Sequence, residues 1–170
     1  MGNIIIRHSQ SDDLLPIVLI YNQAVAEGFQ TADIEPWQAD EKLAWFQQHQ
    51  NMQYPIFVAV EDGVVVGWAV ISAYRPGRGA LNKTKEISYY VHHGHLRKGI
   101  GSMLLKFAIA NAAAYNAETL IAIVLDANKP SIALLEKQGF SKWGHLPNIA
   151  EFRGEKCGHF YYGLSINAGF

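Results

Sequence analysis

The chain carries one cysteine, Cys157, among 170 residues, which excludes an internal disulfide and fits a reducing compartment. It has almost no net charge: 14 Lys plus Arg stand against 15 Asp plus Glu, for a formal −1. No global attraction to nucleic acid or to an anionic membrane follows from such a balance, so neither is expected as a partner, and any anion must be held by a local site. No apolar run is long enough to span a bilayer. Met1-Gly2-Asn3-Ile4-Ile5-Ile6-Arg7 lacks both the basic start and the long apolar core of a signal peptide. Gly2 invites a myristoylation reading, but Ile6 occupies the position that needs Ser or Thr. A cytoplasmic location is the expectation, and in that setting Asn82-Lys83-Thr84 is a glycosylation acceptor in form only. No internal repeat or low-complexity linker divides the chain.

What is present is 49% hydrophobic residues, enough for one sizeable core and one domain over residues 1–170. A first strand at Ile4-Ile5-Ile6 is followed by a helix-start signal at Ser9, Ser11, Asp12 and Asp13. Leu14, Ile17, Val18, Tyr21, Ala24 and Val25 then recur at helical spacing as far as Gly28. Residues 29–36 hold no sustained period before a second helix with Leu43, Phe46 and His49. Pro55 opens a strand over 56–61, Asp62-Gly63 supplies a hairpin turn, and 64–74 returns as a strand rich in β-branched and aromatic residues. Thr84–Val91 reads as the next strand, 103–114 as an apolar helix, and 120–125 as a strand buried on both faces. Asn128-Lys129-Pro130-Ser131 starts a helix that Gly139-Phe140 ends. Strands over 140–146 and 159–166 follow, separated by a polar loop containing Arg153-Gly154-Glu155-Lys156. Neighbouring strands flanked by helices predict an α+β layered fold with a mixed sheet.

The densest functional signal is Leu96-Arg97-Lys98-Gly99-Ile100-Gly101-Ser102, between the strand ending at Val91 and the apolar helix. Two glycines permit close backbone approach, the first helical turn leaves N–H groups without partners, and the helix dipole favours an anion there. Arg97 and Lys98 add full charges. Glycines also serve plain turns and caps, so this segment alone does not name a ligand.

In combination, the strand, the Leu-Arg-Lys-Gly-Ile-Gly turn, the helix, the apolar strand, the Asn-Lys-Pro-Ser helix and the Gly-Phe strand resemble the GNAT acetyltransferase superfamily. Ile6-Arg7, Ile20-Tyr21-Asn22, Ala73-Tyr74-Arg75-Pro76, and Glu86 with Tyr90-Val91 look most like its phosphinothricin and methionine sulfoximine N-acetyltransferase group. The resemblance covers essentially the whole chain. It implies a mostly antiparallel, twisted sheet splayed at the cofactor-binding strands, with acetyl-CoA as co-substrate and no metal. By the same resemblance, Val91, His92 and His93 pair with the pantetheine arm, and Arg97, Lys98, Gly99, Ile100, Gly101 and Ser102 cradle the pyrophosphate. Asn128 and Ser131 meet the arm, although both residues are also ordinary helix caps. Two positions depart from the pattern. Leu96 stands where a basic residue or Gln usually opens the glycine motif, and Leu135 where a tyrosine often protonates the leaving thiolate.

Acetylating an amine requires removal of a proton. Period-two alternation puts Glu86, Ser88 and Tyr90 on one face; spacing leaves Glu86 open between a base and a solvated carboxylate, and the resemblance assigns it as general base. For the thiolate, Tyr90, Tyr115, Tyr161 and Tyr162 are candidate donors. Arg75 is either a bidentate clamp for an α-carboxylate or a solvated loop cation. Phe29 and Thr31 line an acceptor pocket in this reading, with Tyr74 and Tyr90 completing the substrate set. His92-His93-Gly94-His95 tempts a metal reading, but no Cys or paired carboxylate completes a shell. The expected function is acetyl-CoA-dependent N-acetylation of the α-amino group of a small amino acid or analogue, in a homodimer. The alternatives are an enzyme for a protein N-terminus or another amine, and a non-catalytic acyl-CoA sensor.

Overall fold

A computed structural model describes residues 2–50 and 53–166. Its strands are β1 (Ile4–His8), β2 (Ile56–Glu61), β3 (Val64–Ala73), β4 (Thr84–Val91), β5 (Thr119–Leu125), β6 (Ser141–Phe152) and β7 (Glu155–Ser165). Four helices join them: α1 (Leu14–Glu27), α2 (Ala39–Gln48), α3 (Ile100–Asn111) and α4 (Lys129–Lys137). The sheet runs β1-β2-β3-β4-β5-β7-β6, antiparallel throughout except for β4 beside β5.

Helices cover both faces, which explains why β2 is almost continuously apolar. Phe57 and Ala59 enter a core with Leu104, Leu105, Leu120, Leu135 and Phe140 beneath α3 and α4. Ile56, Val58 and Val60 enter a second core with Ile17, Ile20, Phe46, Trp68 and Val70 beneath α1 and α2. Strand alternation thus feeds two cores from one sequence run.

Several boundaries differ from those the sequence predicts. The apolar helix begins at Ile100 rather than 103, so Ile100, Gly101 and Ser102 form its first turn, and past Asn111 it tightens into a single 3-10 turn at Ala112–Tyr115. His49 lies just past α2, as its C-cap. The larger correction is the last hairpin. Its strands extend through the predicted polar loop to a two-residue turn at Arg153 and Gly154, with φ of 52° and 86°, the combination of a type I′ turn. Pro147-Asn148 looks like a break in sequence but lies within β6, where the register shifts between Leu146 and Ala150 and Asn148 takes a φ of 56°.

Candidate active site

The single parallel pairing creates the site. β4 and β5 pair only where Thr84, Lys85 and Glu86 face Thr119, Leu120 and Ile121; beyond Glu86 the strands part, while β5 stays zipped to β7 as far as Leu125. The His92 N–H donates to the Val66 carbonyl (2.9 Å), which sets the phase of the β3–β4 ladder. Tyr90, Ser88 and Glu86 therefore bond towards β3, and the main-chain groups of Tyr89 and Val91 face the gap. A cavity of about 710 Å³ fills it, bounded by residues 87–91 of β4, 122–124 of β5, and Asn128, Pro130, Ser131, Leu134 and Leu135 from the α4 region.

At the mouth stands the N-terminus of α3. Gly99 is its N-cap with a φ of 82°, a left-handed conformation that suits glycine. The first intrahelical bond runs from the Met103 N–H to the Gly99 carbonyl (3.0 Å), so the N–H groups of residues 100–102 have no acceptor in the helix. A Cβ on Gly101 would lie 3.0 Å from Leu134 Cδ2 and 3.7 Å from Val91 Cγ2, both walls of the cavity. Arg97 lines the mouth and holds a φ of 60°. These groups fit a diphosphate at the end of an extended arm: free donors, a close backbone approach and a cation meet at one end of a slot edged by unpaired strand backbone.

Other predicted donor-site residues are more committed. Lys98 is exposed and outside the cavity lining. Ile100 is buried in the α3 core, and Ser102 Oγ accepts a bond from Gln138 Nε2 (3.0 Å). The His92 N–H is spent on Val66 and the His93 N–H on Gln23 Oε1 (3.0 Å). Asn128 Oδ1 caps α4 by accepting from the Ser131 N–H (3.2 Å). His92 stacks on His93 and meets His95 edge-on, and His95 Nε2 lies 3.2 Å from Glu61 Oε2. Burial, reinforced by its two histidine neighbours, holds His92 below the usual imidazole range. Among the described residues no His, Cys, Asp and Glu group is arranged to hold a metal.

On the opposite face of β4, Glu86 is half-buried, and desolvation raises its pKa above the ordinary carboxylate range. No cation pairs with it among the described residues. Four residues along, Tyr90 packs against Trp68 and Tyr21, each with ring centroids 4.9 Å away. Its phenol is pushed up to about 12, mainly by burial, with Thr31 and Tyr21 hydrogen-bonding to it. The Thr31 hydroxyl lies 2.7 Å from the Tyr21 hydroxyl, which also donates to Asp33 Oδ2 (2.7 Å). Thr31 and Tyr90 are thus brought together. Phe29 instead packs on Phe152 (4.8 Å) in a small core with Leu125 and Cys157. Tyr74 and Arg75 follow the end of β3, outside the cavity lining, with Arg75 exposed.

Some cavity residues were missed from sequence. Glu27, the last residue of α1, and Gln30, three residues past it, also line it; which residues near the end of the helix face inward depends on where it stops, which spacing does not fix. Tyr89 lies on the face of β4 opposite Glu86, and sequence alternation alone does not show that this face opens onto a cavity. Three tyrosines proposed as thiolate donors stand elsewhere: Tyr115 bonds to His8 Nε2 (3.0 Å), Tyr162 to Glu136 Oε1 (2.8 Å), and Tyr161 is outside the cavity lining.

Comparison with known proteins gives this arrangement a context. Residues 22–140 match the acetyltransferase (GNAT) family. YwnH of Bacillus subtilis (strain 168), provisionally assigned as a phosphinothricin acetyltransferase, is 38% identical over 89% of this chain and 92% of its own length. The L-methionine sulfoximine/L-methionine sulfone acetyltransferase of Salmonella typhimurium is 33% identical over 85% of this chain and 84% of its own. Among solved structures, a phosphinothricin acetyltransferase from Sinorhizobium meliloti in complex with acetyl-CoA has a TM-score of 0.91 and 28% identity, over 98% of this chain and 90% of that one.

Proposed function

Because the chain belongs to the GNAT acetyltransferase family and uses acetyl-CoA as acetyl donor, we propose that it acetylates the α-amino group of a small amino acid or analogue of the phosphinothricin and methionine sulfoximine type. Transfer is direct, with Glu86 as general base. The observation that carries this reading is the two-sided use of β4. Its backbone edge opens onto the slot capped by Gly99 and the free N–H groups of α3, while Glu86 lies on its other face, unpaired and partly dehydrated. The slot takes the acetyl donor: residues 99–102 and Arg97 receive the pyrophosphate, and the backbone of Tyr89 and Val91 receives the arm. Asn128 and Ser131 edge the same slot. The Glu86 carboxylate, directly or through one water, removes the proton that the amine sheds as it attacks. Thr31, Tyr90 and the neighbouring loop hold the acceptor, with Arg75 as its carboxylate partner. The exposed apolar side chains Trp143, Leu146 and Ile149 on the edge strand β6 support a homodimer, and the free buried thiol of Cys157 supports a cytoplasmic setting.

The test is acceptor-dependent release of free thiol from acetyl-CoA, screened across methionine sulfoximine, phosphinothricin, methionine sulfone, ordinary amino acids and a peptide with a free N-terminus. Release with the small amino acids supports the reading. Release with the peptide alone, or tight donor binding without any release, replaces it with a protein N-terminal enzyme or an acyl-CoA sensor. Glu86→Gln is expected to lower kcat about 100-fold at pH 7, within the range of general-base contributions. The raised pKa of Glu86 sets the sign of the pH effect. As pH falls, the carboxylate takes up its proton above the usual carboxylate range, so the wild-type rate drops on the acid side and this limb is missing in E86Q. A variant with wild-type turnover at neutral pH removes Glu86 from the mechanism.

A further inference from the structure

Thioester cleavage leaves an electron pair on sulphur inside a slot walled largely by Ile87, Ala122, Val124, Leu134 and Leu135. A thiolate there is poorly solvated and needs a donor. Leu135 is 1% exposed and can offer none. The hydroxyl-bearing residues of the lining are Ser88, Tyr89, Tyr90, Ser102 and Ser131. Ser88 and Tyr90 belong to the Glu86 face, with the Tyr90 ring packed on Trp68 and Tyr21, and Ser102 is engaged by Gln138 at the mouth. The two that remain form a pair: the Tyr89 phenol crosses from β4 to α4 and meets Ser131 Oγ at 2.5 Å, its ring packed against the core that contains Leu135.

The geometry points to Tyr89 as the hydroxyl that stabilises the leaving thiolate, with Ser131 holding its phenol in the slot. The inference rests on the direct-transfer reading above. As the amine nitrogen bonds to the acetyl carbon and the C–S bond breaks, the bonding pair moves onto sulphur, and the Tyr89 O–H donates a hydrogen bond to it. The Ser131 hydroxyl donates to the phenol oxygen, and the phenol proton, whose other contact is a long one to the Ser131 main-chain carbonyl (3.4 Å), turns from that carbonyl to sulphur. The amine's surplus proton goes to Glu86 or water, and the thiolate takes up a proton on release, since a free thiol titrates near 8.5. Burial holds the Tyr89 phenol at about 12, so it donates without ionising. Tyr89 therefore supplies from β4 what Leu135 does not supply from α4.

The experiment is a pH titration of the thiol of bound CoA, followed by its ultraviolet thiolate absorbance against the desulfo-CoA complex, without acceptor. With the phenol in place the bound thiol is expected to ionise about one pH unit lower than in Tyr89→Phe, in keeping with a hydrogen bond to a charged group. In steady state, Y89F should lose about 10- to 100-fold in kcat with the KM for acetyl-CoA unchanged. Ser131→Ala keeps the phenol and should move the bound thiol by less than half a unit. A Y89F enzyme whose bound thiol titrates as in the wild type overturns the assignment even if turnover falls, because a mere brace between β4 and α4 would lower Tm and rate without moving the thiol. Glu86 and the acceptor take no part in that titration, so it can fail while the E86Q test succeeds, and the reverse.

Discussion

Replacing Gly101 by Ala should separate donor binding from stability. The added methyl would sit 3.0 Å from Leu134 Cδ2 and 3.7 Å from Val91 Cγ2. The first contact is tight, but its partner is the free end of a flexible side chain, so relief costs about 1 kcal/mol or less. Against this, Ala is favoured over Gly within a helix by about 0.5–1 kcal/mol, and Gly101 lies in the first turn of α3. The two effects nearly cancel. With about 2–4 °C per kcal/mol for a chain of this size, Tm should stay within about 3 °C of wild type. Donor binding has no such compensation, because Leu134 and Val91 both line the slot, and a methyl between them, or a Leu134 turned aside by it, occupies space beside the free N–H groups of residues 100–102. The KM for acetyl-CoA should rise about tenfold, equivalent to about 1.4 kcal/mol, with kcat at saturation little changed. Gly99→Ala is the counterpart: nothing lies within 4 Å of its Cβ, but the left-handed φ costs about 1–2 kcal/mol, so Tm falls by about 2–8 °C. Thermal unfolding and acetyl-CoA saturation curves decide the matter. A G101A enzyme with wild-type KM refutes the account of the slot wall.

Arg97→Asn should leave Tm unchanged or slightly raised, because Asn tolerates the left-handed φ of 60° better than Arg does. It should raise the KM for acetyl-CoA about 3- to 10-fold and flatten its dependence on salt between 50 and 500 mM, since a cation at the mouth is lost. Asp13→Ala tests the entry to α1. The Asp13 side chain is only 7% exposed and accepts two bonds from Arg7 (2.6 and 3.0 Å) and one from the Gln10 N–H (2.7 Å). With Arg7 still able to reach water, removal should cost about 2–3 kcal/mol and lower Tm by about 4–12 °C in thermal unfolding.

Features with one physical cause were legible in the sequence. Asp62-Gly63 between apolar runs specifies a hairpin because it meets the turn's backbone demand. The run at 120–125 reads as a doubly covered strand because both its faces are buried, Leu120, Ala122 and Val124 in the core with α3 and α4, and Leu125 in a small core with Phe152 and Cys157. Leu96 to Ser102 reads as a glycine turn into a helix start, and Gly99 is the left-handed N-cap of α3. What stayed hidden depends on two segments at once. The second half of β6, past Leu146, is mostly exposed, so no alternation announces it, and Pro147-Asn148 interrupts a strand whose pairing with β7 absorbs them as a register shift. The N–H groups of His92 and His93 look available in sequence, yet Val66 and Gln23, both distant along the chain, take them. Tyr89 and Leu135 become neighbours of one slot only through the parting of β4 from β5.

That parting has a consequence for the chemistry. While a strand is paired on both edges its two faces cannot exchange a group through the sheet, because the ladder closes the way. From Ile87 onward β4 is paired to β3 alone, so its odd-numbered residues line the cavity, its even-numbered residues face the α1 and α2 side, and an open edge joins the two. In the proposed mechanism the base at Glu86 sits where pairing ends, Tyr89 stands inside the slot, and the backbone of Tyr89 and Val91 lies between them. A one-residue slip of β4 would turn Glu86 into the apolar core under α3 and Tyr89 out of the slot. The proposed acid–base chemistry is thus tied to sheet register. The register is held by Ile71 and Ile87 directly across from each other in one core, and by Trp68 and Tyr90 in contact at the other, so the side chains that fix the fold also place the reacting groups.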